Sequence, residues 1–147
     1  MTLHSLRDRT LGVIPIRLGL GVALLGASRL AGAQSGPALL AFVLGVFGIT
    51  FVIFNDPRAR FAQGNVEPLE LPAAAEIAPR WRQALAATLP STIAVAVLAA
   101  IALVPQPTLA ALLAGVEAGL GVAAVLSLSR VDGALYVDPR TRTIYRR

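Results

Sequence analysis

A chain of 147 residues that is 56% hydrophobic and only 14% charged, with a mean hydropathy of +0.71, is not a water-soluble domain, which runs about half apolar and a quarter charged. Its net charge of +5 would suggest nucleic acid in a soluble protein, but the arginines flank apolar blocks, the pattern that orients helices in a bilayer, so no nucleic-acid partner is expected. With no Cys and a single His (His4), disulfides, thiolate chemistry and a metal site are excluded from the reading, and no cofactor is expected.

Residues 1–11 form a polar head carrying Arg7, Asp8 and Arg9. Residues 12–33 follow as a first apolar segment, long enough against the roughly 20 residues that a span needs. Gly12, Gly19 and Gly26 recur every seventh residue, a smooth stripe of the kind that lets another helix approach closely. Arg17 and Arg29 lie about one turn inside its two ends. Long side chains there reach the headgroups, so the simple expectation is that both snorkel; the sharper one pairs either of them with Glu117. The head, the apolar core and Ala31-Gly32-Ala33 also resemble a secretory signal. Arg17 interrupting the core and Arg29 beside the cut weigh against cleavage, and the rest of the topology is the same either way.

Pro37 suits a first helical position, and residues 37–54 make a short second span. Ala41, Gly45 and Gly48 give it a small face, and Phe47, Phe51 and Phe54 a bulky one expected to meet lipid or other helices. Asn55-Asp56-Pro57 is a stop signal, because proline disfavours helical geometry in the residue before it. Residues 55–87 are the one long loop. Its middle holds Glu67, Glu70 and Glu76 among prolines and reads as extended, solvated chain. Near 79–89 an interfacial helix is expected, with Trp81 in the headgroup belt and Arg80 and Arg82 anchoring it at lipid phosphates.

Residues 90–104 form a thin, alanine-rich third span. Pro105-Gln106-Pro107 turns sharply into the fourth, residues 107–129, so these two helices are expected as antiparallel neighbours. The fourth span carries small residues at Ala111, Gly115, Gly119 and Ala123, with Glu117 between the two glycines of a GxxxG motif. In the tail, residues 130–147, two short apolar stretches flank Asp138-Pro139-Arg140-Thr141, which has good turn chemistry and predicts a small β-hairpin. An isolated hairpin is marginal in water, so this one has to pack on the central loop or on a partner.

Of the 13 arginines, two lie in the head, four in the loop and five in the tail; the short turns have none. By the positive-inside rule the head, loop and tail are cytoplasmic. The expected fold is therefore an all-α membrane protein, four transmembrane helices arranged as two antiparallel hairpins, in a bacterial inner membrane.

Glu117 is the single acid inside an apolar span. An ionised group at the bilayer centre costs on the order of 2.5–3.5 kcal/mol on insertion scales, so it has to be protonated, paired with an arginine or placed in a wet cavity. Around it on the helix lie Ala110, Leu113, Ala114, Leu120, Gly121 and Ala124, leaving room for a substrate or for a close helix. No P-loop and no nucleophile beside a base appears, so catalysis is not expected, and Ser91 and Thr92 are expected to bond to their own helix carbonyls. Three readings follow: an accessory subunit or homo-oligomer packing against itself or a larger membrane protein; a proton-coupled small-molecule transporter using Glu117; and a membrane anchor recruiting a cytoplasmic partner through its basic tail.

Overall fold

The computed structural model describes residues 2–55, 69–130, 133–141 and 143–146. Four helices, each long and apolar enough to cross a membrane, make up most of it: α1 (Leu6–Leu30), α2 (Ser35–Asn55), α3 (Arg80–Leu103) and α4 (Pro107–Ser127). A small sheet joins β1 (Thr2–Ser5), β2 (Leu69–Glu70), β3 (Glu76–Ile77), β4 (Leu135–Val137) and β5 (Ile144–Arg146).

Local chemistry places the helix ends. Ser5 caps α1 by accepting the Asp8 backbone N–H at 3.3 Å, and Asp8 in the first turn complements the helix dipole. The charged head is thus the opening of α1 rather than a separate segment. Pro107 stands at the start of α4, where its missing N–H costs nothing. The expected interfacial helix and third span form one continuous helix, α3, which runs through Pro90. The stop signal after α2 lies outside the described residues beyond Asn55, as does Glu67.

The helices are arranged around α4. Half of its apolar stretch is buried, against 11 to 17% for the other three, and α1, α2 and α3 all pack on it. α1 and α2, although joined by a short turn, meet chiefly through α4. The contacts therefore do not concentrate within two sequential hairpins. The reason is the slenderness of α4, where Ala111, Ala114, Gly115, Ala118, Gly119 and Gly121 lie on opposite flanks, so that it accepts a close neighbour on each.

The sheet closes one end of the bundle. Its order is β2-β5-β4-β1-β3, with β4 antiparallel to β5 and to β1, and β2 and β3 added parallel at the edges. The C-terminal hairpin packs on the central loop through β2 and on the head through β1. Its turn is tied by the Arg140 N–H to Asp138 Oδ1 at 2.9 Å and the Asp138 N–H to the Thr143 carbonyl at 3.0 Å. The acidic stretch of the loop is not free chain: Glu70 and Glu76 sit in β2 and β3, with exposed side chains. Leu3 and Tyr136 turn inward and are buried. The Leu3 carbonyl accepts from Ala78, whose own carbonyl accepts from the buried Gln83 amide, fastening the sheet to the first turn of α3.

Candidate functional site: a polar cluster inside the bundle

Glu117 lies on the flank of α4 that faces α1 and α3, with no exposed surface. The small residues around it admit a helix, not a substrate. A Cβ on Gly21 of α1 would lie 2.7 Å from the Ala118 Cβ and 2.9 Å from the Ala114 carbonyl oxygen, and one on Gly121 would lie 3.0 Å from Leu18. α1 therefore runs almost backbone to backbone along α4, and this brings Arg17 to Glu117.

Arg17 does not snorkel. It is only 7% exposed and turns inward, placing Nη1 3.4 Å from Glu117 Oε1. Its other terminal nitrogen, Nη2, donates to Ser91 Oγ at 2.7 Å. Thr92 Oγ1 donates to the same Glu117 oxygen at 2.6 Å. Three helices thus supply one connected group: Arg17 from α1, Ser91 and Thr92 from α3, Glu117 from α4. Glu117 Oε2 is buried with no hydrogen-bond partner among the described residues.

The second arginine stays apart. Arg29 Nη1 donates to the Ala33 carbonyl just beyond its own helix, as cations near a helix C-terminus do. Of the two pairings that the sequence left open for Glu117, the structure makes the one with Arg17.

Ser91 and Thr92 were the members of the cluster that sequence reasoning missed. Ser91 does bond to its own helix, at the Thr88 carbonyl, 3.3 Å away, but it also accepts from Arg17. Thr92 bonds across the bundle. The available signal was their position immediately after Pro90, which has no N–H and leaves a carbonyl one turn earlier without its helical donor. Pro15 stands in the same relation to Arg17 on α1.

The expected packing residues divide into two sets. Gly12 is a close contact, since a Cβ there would lie 2.7 Å from Ala84. Ala111, Gly115, Gly119 and Ala123 are all buried. A side chain on Gly115 would run into the Phe42 backbone of α2, and one on Gly119 into Ile49 and the Val46 carbonyl. Gly19 and Gly26 do not join this packing: no described atom lies within 4 Å of a Cβ built at either. They share the face of Gly12, drifting only about 20° per seven residues, and that face meets α3 at Gly12, while the close approach to α4 is made at Gly21.

At the sheet end, Trp81 is 63% exposed. Arg82 stands over its ring at 5.7 Å, and Arg80 pairs with Asp8 at 2.8 Å. His4 in β1 is held below the ordinary histidine range by partial burial and by the nearby Arg9, with Asp138 opposing.

Comparison with known proteins gives no match to a family model, to a curated protein or to a solved structure.

Proposed function

We propose that this chain is a multi-pass protein of a bacterial inner membrane, with head, loop and tail in the cytoplasm, that works as an accessory or interaction subunit, packed against a larger membrane protein or against copies of itself. One observation carries the reading. The bundle consumes its own polarity and part of its smoothness internally, and leaves the rest of the smoothness facing outward. Gly12, Gly21, Gly45, Gly115 and Gly119 are used between its helices, while Gly19, Gly26 and Gly48 face open space on helices whose outer residues include Val22, Phe47 and Phe51. Small residues on an outer face are what a further helix needs to come close.

The arginine count supports the cytoplasmic side, and the sheet supports one shared side. The arginine count places head, loop and tail on the positive side, and strands from these same three segments pair in one sheet, which requires them to share a side. That sheet also argues for a retained α1, because cleavage after Ala33 would remove β1 and Arg17 together. In this reading the tail belongs to the sheet first and is a recruiting arm only through its outer surface.

The test is the mass of the complex extracted in mild detergent, with every co-purifying protein identified. A partner at fixed stoichiometry, or a defined homo-oligomer, is expected. A bare monomer at native expression level would sink the proposal.

A second reading, a proton-coupled transporter, is favoured by one feature, the partnerless Glu117 Oε2. An oxygen without a donor inside an apolar bundle is a place for a proton. In proteoliposomes this reading requires Glu117→Gln to abolish pH-driven uptake with the fold intact; unchanged uptake would dispose of it.

A further inference from the structure

Between α1 and α3, at the sheet end, an open apolar groove of about 520 Å³ is lined by Gly12, Ile16, Arg80, Trp81, Ala84 and Leu85. We infer that this groove is a binding site for one anionic phospholipid of the cytoplasmic leaflet, an acyl chain lying along Gly12, Ile16, Ala84 and Leu85 and the phosphate meeting Arg80 and Arg82. The inference rests on the membrane and sidedness reading above and is independent of the accessory role.

The groove is graded in the way a phospholipid is graded. Its floor is where Gly12 of α1 meets Ala84 of α3, and Ile16, one turn deeper on α1, and Leu85, next to Ala84, line its walls. The polar groups gather at the outer end. Asp8 and Arg80 form their ion pair there, Trp81 stands exposed, and Arg82 lies over the Trp81 ring. A tryptophan with arginines at the first turn of a span marks headgroup depth. Basic pockets between helices on the cytoplasmic side suit anionic headgroups.

At this mouth Arg80 pairs with Asp8, and Arg82 stands beside it over Trp81. The Asp8 pair occupies one terminal nitrogen of Arg80, and a guanidinium has five N–H donors, so Arg80 keeps donors for a phosphate while paired. Asp8 fixes the direction of Arg80 rather than cancelling it. A neutral or zwitterionic lipid would fit the apolar length equally well but would gain less at the mouth, so the charge sets the preference.

The experiment is lipid retention by the full chain in mild detergent, measured by native mass spectrometry with equimolar phosphatidylglycerol and phosphatidylcholine. The expected result is one phosphatidylglycerol bound per chain in preference. That preference should fall about fivefold for each arginine neutralised in Arg80→Gln and Arg82→Gln. Arg140→Gln, at the tail turn, should leave it unchanged. Ile16→Trp, which fills the groove without altering charge, should reduce retention of both lipids. Equal retention by wild type and the double arginine variant, or full retention by Ile16→Trp, overturns the site. Because the chain has no native cysteine, Leu85→Cys tests the other occupant directly: a disulfide-linked dimer in membranes would put a second copy in the groove and overturn the lipid. Alkaline carbonate extraction separates the two levels. Release into the supernatant defeats the membrane reading itself, whereas a retained protein without lipid preference defeats the groove alone.

Discussion

On the flank facing α2, α4 offers Gly115 and Gly119 to the backbone of Phe42 and Val46, and the cross-helix polar contact found there is Thr50 Oγ1 donating to the Gly119 carbonyl at 3.1 Å. On the flank facing α1 and α3 the approach, at Gly21 and Gly121, is a little looser and encloses Arg17, Glu117, Ser91 and Thr92. The first flank is held by shape and the second by shape plus charge. One helix can thus use one small-residue rule twice and obtain two kinds of interface. The shape interface is sensitive to added volume. The charged one is sensitive to lost partners.

The largest effect is expected from Arg17→Leu, which leaves Glu117 uncompensated at zero exposure. Breaking a buried pair costs about 3–5 kcal/mol, so the variant should unfold at markedly lower denaturant in detergent. Arg17→Leu with Glu117→Leu should recover most of the loss. A double variant no better than the single one would show that the cluster is not held by pairing. On the other flank, Gly115→Val should cost about 1–3 kcal/mol by overpacking, because the new side chain meets the α2 backbone. Unchanged melting would break the distinction between the flanks.

Thr92→Val keeps the shape and removes the donor to Glu117. About 1.5–3 kcal/mol is expected, the loss of a hydrogen bond to a charged group, since Oε1 keeps only its longer contact to Arg17, with α2 packing unaffected in cysteine crosslinking. Gly19→Leu marks the neutral limit. With no described atom near, it should stay within roughly 0.5 kcal/mol of wild type as a monomer, while weakening the association proposed above. Smallest is a pH effect in the sheet. The folded histidine pKa at His4 lies below the ordinary 6.5, so the unfolded chain takes up a proton first as pH falls. Stability present above 6.5 is then lost on acidification through that range, and His4→Asn should flatten the dependence in hydrogen exchange of β1.

The four spans were legible because blocks of apolar residues between prolines and arginines survive any tertiary arrangement. So were the α4 stripe and Glu117, as spacing and as an acid where none is expected. The site was legible only in part. Thr92 lies 25 residues from Glu117 and Arg17 lies 100 away, and what joins them is the order of helices around α4, which periodicity does not encode. The periodicity of α1 pointed to Gly19 and Gly26, but the neighbour approaches along Gly21. β1, β2 and β3 escaped because strands of four, two and two residues have too few positions to show alternation; they exist through their partners.

The hub of the bundle is the fourth of these spans to be made. In the proposed membrane topology, a nascent chain that has yet to extend past Pro107 holds α1, α2 and α3 without the helix that they all pack on, and Arg17 has no carboxylate. At that stage the cheapest place for its guanidinium is the headgroup region. On that reading insertion of α4 draws it inward to Glu117, and in the folded bundle the expected snorkelling does not occur. A released chain truncated after Gln106 and carrying Arg17→Cys should expose that position to water-soluble thiol reagents, and the full chain with the same substitution should protect it.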